Sequence, residues 1–400
     1  MATTLESARE TESTALRPET AAGTLAPSTL AVHEITSPEA LEGLAGEWAA
    51  LVARSRDRHL SVTSPWVRAW WRSFGGGAAL RVLAVRDGSR LVGLAPFLSR
   101  RETASGVPCR VVRFLSNRFV PWCDFLVDAD VPRPAVLRAV FEHLDRRPGR
   151  PDLVSLRNVP GDSGTIDALG AATAGNALAV VLVNPRRSPI VPIEGTWEDY
   201  LASFSSRSRK SIARAFRTHE EEGLRFEEVR GGPRSAEVLE RGLELESAGW
   251  KGENGSAILD DPRVAGFHRD LGQLPGACQY ALWRGDALIA WDFCVYEDGV
   301  CYALKTAYDE GHSKLAPGML IQLLELRALF ESRAARAYDQ LPPESEYKDR
   351  WARTYMEQTS VRVYGRTLVG RTIWFLDTRV RVALRRVDWL RQAKGKLVRT

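Results

Sequence analysis

At 400 residues the chain is long for a single hydrophobic core, so the expectation is two domains plus tails. With 44% hydrophobic and 26% charged residues it has an ordinary globular composition, and a net charge of +5 with pI near 9.0, weighted to the C-terminus, gives no general DNA-binding footprint. The five cysteines (Cys109, Cys123, Cys278, Cys294, Cys301) lack short paired spacings and the six histidines are scattered, which argues against a disulfide framework and against a metal site.

Residues 1–30 are rich in Ala, Thr, Ser and Glu and read as a disordered tail without the apolar core of a signal peptide. No run approaches the roughly 18 apolar residues of a membrane span, so the expected location is cytoplasmic. A first domain is expected over 31–185. Ser37-Pro38 starts a helix carrying Leu41, Leu44, Trp48, Leu51 and Val52 on one face, and a second helix covers 64–74 before Gly75-Gly76-Gly77. A hairpin follows at 80–101 around Asp87-Gly88. Strands are predicted at 110–115, 124–127, 152–157 and 177–183, with a helix at 134–144. The three prolines of PRRSPIVPI (185–193) break regular structure and mark the crossover to a second domain, 186–358.

That second half opens with a helix from Thr196 continuing through 203–223. Phe204, Ile212, Ala213 and Phe216 are its apolar positions, and Arg207, Arg209, Lys210, Arg214 and Arg217 its basic surface. Strand 225–229, helices 236–247 and near 264–271, and strand 277–283 lead into ALIAWDFCVYEDGVCYALKTAYDEGHSKLAPGML, followed by a strand near 337–341. Both halves run helices, hairpin, strand and helix, a weak internal duplication. Residues 359–400 carry eleven Lys/Arg from Ser360 onward against Asp377 and Asp388, interleaved with Trp374, Phe375, Val382, Trp389 and Leu390. This reads as a basic amphipathic helix, either docked on the protein or suited to an anionic membrane surface.

The chemistry concentrates in residues 287–330. A two-residue turn at Asp298-Gly299 sets Asp292 opposite Lys305, either on a face shared with a cleft or as an ordinary cross-strand ion pair contributing roughly 0.2–1 kcal/mol. Pro317-Gly318 begins a helix whose first N–H groups, at Gly318, Met319 and Leu320, can hold a phosphate with Lys314 nearby. Common turn chemistry explains the same dipeptide. Trp250-Lys251-Gly252 puts an aromatic ring and an amine in one loop, or packs as a helix stop. No Walker loop, dinucleotide fingerprint or nucleophile elbow is present.

Taken together, WVRAWWRSF, RLVGLAPFL, SRKSIARAFR, ESAGWKG, YALKTAYDEGHSKLAPGML and DQLPPESEYKDRW resemble the GNAT-like acyltransferases of the cellulose-biosynthesis (CelD) type, related to the Fem-type peptidyltransferases. The resemblance covers about 32–356. Where relatives often carry a glycine, this chain has Pro342-Pro343-Glu344 before Tyr347-Lys348 and Trp351. It implies an α/β (α+β) fold of two tandem domains, each a mostly antiparallel sheet flanked by helices. It also implies acyl transfer from acetyl-CoA or another acyl-CoA to an amine or hydroxyl, without a metal. Gly318, Met319 and Leu320 would cradle the pyrophosphate, Asp292 and Lys305 line the cleft, and Tyr308 or Tyr347 protonate the leaving thiolate. Trp250, Lys251 and Lys348 would position substrate. The alternatives are a Fem-type transferase using aminoacyl-tRNA and a non-catalytic accessory protein of a membrane polysaccharide synthase.

Overall fold

The computed structural model describes residues 15–16, 30–146, 149–175, 177–249 and 257–380. These form two compact units that are not consecutive in sequence: 1–57, 77–186 and 357–400 make unit 1, and 58–76 and 187–356 make unit 2. The expected division at 185/186 is therefore corrected in two places. Residues 58–76 join unit 2 because Trp66 and Phe74 pack on Phe267 at 5.3 Å each and Arg72 pairs with Asp270 at 3.0 Å. The start of the basic tail joins unit 1 as a strand. Of the tail expected to be disordered, Ala15–Leu16 is a short strand, β1, against Val180 and Val181. The rest of it lies outside the described residues.

Unit 1 contains β2 (Ala31–Ile35), α1 (Pro38–Gly43) and α2 (Ala45–Arg54). Ser37 accepts the Ala40 N–H at 3.2 Å, the N-cap its sequence calls for. In unit 2, α3 (Ser64–Phe74) follows and stops at Gly75. Unit 1 resumes with β3 (Ala79–Asp87), β4 (Arg90–Ala104), β5 (Val107–Phe114), β6 (Leu126–Val127), α4 (Arg133–Asp145), β7 (Leu153–Pro160) and α5 (Thr165–Thr173). β8 (Ala177–Pro192) passes through the boundary at Arg186. It runs through Pro185, Pro189 and Pro192 where a break was expected, since proline accepts the extended φ and forfeits only its own ladder donor.

In unit 2 the long helix expected from Thr196 is two helices, α6 (Trp197–Ala202) and α7 (Ser206–Glu221). Two caps compete for one run of sequence. Thr196 and Asp199 close a capping box on α6, and Ser205 accepts the Ser208 N–H at 3.1 Å to start α7. Ala215, not Ala213, is the buried alanine of α7. Then come β9 (Arg225–Arg230), α8 (Gly232–Ala248), α9 (Pro262–Gly272), β10 (Ala277–Arg284), β11 (Ala287–Glu297), β12 (Val300–Tyr308), α10 (Pro317–Ser332), β13 (Ala337–Asp339) and α11 (Glu346–Asp349). β14 (Thr354–Gly365) and α12 (Leu368–Phe375) close the described chain. β14 corrects the expected helix only over the start of the tail, to Gly365, where Val361 and Val363 alternate into the sheet against β7; α12 then is helical as expected, and 381–400 lie outside the described residues.

The two units share one strand order. Unit 1 runs β2-β3-β4-β5-β7-β14 and unit 2 runs β9-β10-β11-β12-β13-β8. In each, the pairs are antiparallel except one parallel pair, β5/β7 or β12/β13, spanned by a crossover helix, α4 or α10. The mixed, mostly antiparallel α/β fold read from sequence is thus observed, and the weak duplication is a repeated topology.

Candidate active site

The site lies in unit 2, where β12 meets β13. The two strands are parallel partners over Val300–Tyr302 and Ala337–Asp339, and there the ladder ends. β12 continues to Tyr308 while the chain after β13 turns away through a cis Pro342-Pro343 bond. Beyond Tyr302 β13 supplies no partner to β12, whose residues run on to Tyr308 beside the start of α10; that gap in the ladder is the slot considered below.

Tyr308, Gly318 and Tyr347 converge at that slot. A Cβ on Gly318 would sit 2.8 Å from Tyr308 Cδ1, so only glycine lets the ring close on the first turn of α10. The Tyr347 hydroxyl donates to the Gly318 carbonyl at 2.9 Å. Burial, and then the charges of Asp292 and Glu325, push the Tyr347 hydroxyl well above the usual tyrosine range, so it keeps its proton. Met319 and Leu320, expected to offer free N–H groups, both donate to the Ala316 carbonyl at 3.0 Å. Gly318 therefore carries the first-turn donor available to an anion. Lys314 is exposed in the preceding turn, where His312 Nδ1 lies 2.9 Å from Asp309 Oδ2. Arg350, which sequence reasoning missed, brings its guanidinium to 3.7 Å from Met319 Sδ and adds a second cation at the helix start.

The expected Asp292–Lys305 pair does not form. The pairing holds from Glu297↔Val300 to Cys294↔Ala303, and then Leu304 bulges out, so Asp292 faces Thr306 and Lys305 faces Phe293. One inserted residue moved Lys305 to the other face of the sheet. Nor is the Asp292 face open: α10 covers it, and Asp292 is fully buried. Glu325, on the buried face of α10, lies there too. Its Oε1 accepts the Cys294 thiol at 2.9 Å, and its Oε2 accepts the Tyr338 hydroxyl at 3.1 Å. Burial first, then neighbouring Asp292 and Cys301, push the Glu325 carboxyl well above its usual range. The apolar run from Met319 to Leu326 broken only by Gln322 and Glu325 was the available signal, since a carboxylate inside such a run must face a buried partner.

Lys348 ties down the loop that ends the slot: its Nζ donates to the Leu341 carbonyl at 2.7 Å, and its own carbonyl accepts Gln340 Nε2 at 3.0 Å. Trp351 is core, its carbonyl accepting the Tyr200 hydroxyl at 2.8 Å. Trp250 and Lys251 lie outside the described residues.

Residues 206–349 match the family described as acetyltransferase (GNAT) domain. No curated protein matches the chain. Among solved structures, the crystal structure of FemX is 15% identical with TM-score 0.55, over 82% of this chain and 96% of that one. A conserved protein of unknown function from Bacteroides thetaiotaomicron is 11% identical with TM-score 0.50, over 84% and 100%. L-PGS from Bacillus licheniformis is 14% identical with TM-score 0.49, over 86% and 96%. Among the described residues no helix is long and apolar enough to cross a membrane. Residues 206–349 are thus similar to the acetyltransferase (GNAT) domain family, and the mixed α/β fold around them is similar to that of FemX.

Proposed function

We propose that unit 2 transfers an acyl group from acyl-CoA to an amine or hydroxyl of a polysaccharide, an envelope precursor or a secondary metabolite. The observation that carries this reading is the slot between β12 and β13, closed at one end by Gly318 with Tyr308 and Tyr347 upon it. A pyrophosphate would take the Gly318 N–H and the positive end of α10, with Lys314 and Arg350 as counter-charges. The thioester would lie along β12. The acceptor heteroatom attacks the thioester carbon, the C–S bond breaks, and sulfur takes the Tyr347 proton. The proton shed by the acceptor then restores the tyrosine. Asp292 and Glu325 act from behind by keeping Tyr347 protonated, and Lys305 is left without a role in proton transfer. Isothermal titration of the full chain with acetyl-CoA and longer acyl-CoAs tests the reading: micromolar binding supports it, and no binding to any of them removes it.

A second reading, aminoacyl transfer from charged tRNA, is favoured by the exposed Arg207, Arg209, Lys210, Arg214 and Arg217 of α7. Activity in extract fractions that survives RNase would exclude it. The CelD-type assignment adds a peripheral partner, a membrane or a membrane-bound synthase. Leu368 is 82% exposed and Phe375 53% exposed on α12, beside the exposed Arg366, Arg371 and Arg379. Co-sedimentation with phosphatidylglycerol vesicles, lost in Leu368→Asp/Phe375→Asp, is the expected result. If Tyr347→Phe leaves the cellular phenotype intact while truncation before α12 abolishes it, the non-catalytic accessory reading replaces transfer.

A further inference from the structure

The β11–β12 hairpin does more than form one wall of the slot. Cys294 and Cys301 are too far apart in sequence to suggest a ligand pair, yet the Asp298-Gly299 turn folds them onto one face. Cys278 lies directly across from Cys294 on β10. Glu325 of α10 comes down on this layer, 2.9 Å from Cys294 Sγ and 4.0 Å from Cys301 Sγ through the same oxygen. The two sulfurs and the carboxylate oxygen all lie within 4.8 Å of one another, and all three side chains are fully buried.

A sheet-to-helix interface is ordinarily filled by aliphatic side chains. Here one layer of it holds thiols and carboxyl groups, with Asp292 acting on Glu325. Such a cluster is costly to bury without a counter-charge. Thiolates with a carboxylate form a donor set that selects zinc over magnesium or calcium. Zinc with bonds of about 2.3 Å to sulfur and about 2.1 Å to oxygen places tetrahedral ligand atoms about 3.6–3.8 Å apart. The observed separations come within side-chain rotation of that distance. The Tyr338 hydroxyl, 3.1 Å from the other Glu325 oxygen, is placed as the outer partner that fixes a ligating carboxylate.

We propose that Cys294, Cys301 and Glu325 form a buried structural site for a thiophilic divalent cation, zinc. Binding replaces the two thiol protons, which pass to solvent, and clamps the β11–β12 hairpin to α10 beneath Gly318 and Tyr347. The site adjoins the acyl-transfer machinery, since Asp292 and Glu325 also act on the Tyr347 hydroxyl, but its readout, metal content, does not depend on transfer activity.

The test uses the full chain, expressed with zinc and purified without chelators, and its readout is metal content by mass spectrometry. About one zinc per chain is expected, with loss of at least about 10-fold in Cys294→Ser/Cys301→Ser. Cys109→Ser, a buried cysteine of unit 1, should retain it. Refolding from urea with cobalt should give a thiolate-to-cobalt charge-transfer band, and refolding with EDTA should lower Tm. Wild-type protein that stays zinc-free after refolding with zinc, with no cobalt band and no Tm difference, overturns the proposal. So does zinc retained by the folded double variant. If the double variant fails to fold, the wild-type cobalt spectrum decides: the band supports the site and its absence overturns it.

Discussion

Units 1 and 2 share a strand order and a crossover helix, yet they fill the space beneath that helix with opposite materials. Under α4 lie Phe97, Phe114 and Phe125, met by Phe141 of α4 itself, with ring centroids 5.2–6.5 Å apart along the cluster. Under α10 lie Asp292, Cys294, Cys301, Glu325 and Tyr338. Unit 1 does bury the carboxylates of Asp124, Asp128 and Asp152, but each meets a donor: Arg133 stands 3.6 Å from Asp124 and the Thr165 hydroxyl donates to it at 2.6 Å, Arg54 and Arg90 each lie 2.8 Å from Asp128, and the Thr367 hydroxyl donates to Asp152 at 2.7 Å. A duplicated scaffold can therefore keep one copy for packing and let the other accumulate titratable groups, because topology fixes where a side chain points and not what it is.

This contrast can be broken or sharpened experimentally. Phe125→Ala in unit 1 should cost about 3–5 kcal/mol in urea denaturation, by opening a cavity under α4, while leaving acyl-CoA affinity unchanged. An equal loss of affinity would show that the units do not divide their labour. Next in size is a pH effect. Burial pushes Asp124 up to about 6 from 3.8 despite Arg133, so between those values the folded chain binds more protons than the unfolded one. Stability is then greatest below the lower value and falls as pH rises through the window, by about 3 kcal/mol. Asp124→Asn should flatten that segment of the stability curve, and an unchanged slope would rule the assignment out. Tyr347→Phe removes the proton donor at the slot and should lower kcat about 100-fold with little change in donor affinity. Smallest, Gly318→Ala sets a methyl against the Tyr308 ring and should weaken acetyl-CoA binding about 10-fold by calorimetry, with unit 1 unaffected.

Much of this was legible in the chain. Ser37, Thr196 and the helix of Leu320, Leu323, Leu324 and Phe330 behave as capping and periodicity dictate. The resemblance singled out Tyr308, Gly318 and Tyr347 one by one, and the fold brings them together. What escaped was non-local. Counting outward from Asp298-Gly299 cannot reveal the Leu304 bulge, since a bulge is chosen by packing on both faces of the sheet, and every assignment beyond it changed side. The partners of Glu325 come from β11, β12 and β13, which no spacing within α10 encodes. The cross-strand pairing that makes 354–365 a strand joins it to residues some 200 positions earlier.

That last pairing sets an order of events during synthesis. Domains commonly fold one after another as they leave the ribosome. Here β14, at 354–365, completes the sheet edge beside β7, and residues 58–76 wait for α9 before they can bury Trp66. Unit 1 cannot finish until almost the whole chain has been made, and the early-made α3 must spend most of translation without its partner. A truncated chain ending before β14 would leave the β7 edge uncovered, and one ending before α9 would leave the Trp66 surface uncovered as well, the kind of intermediate on which chaperones act.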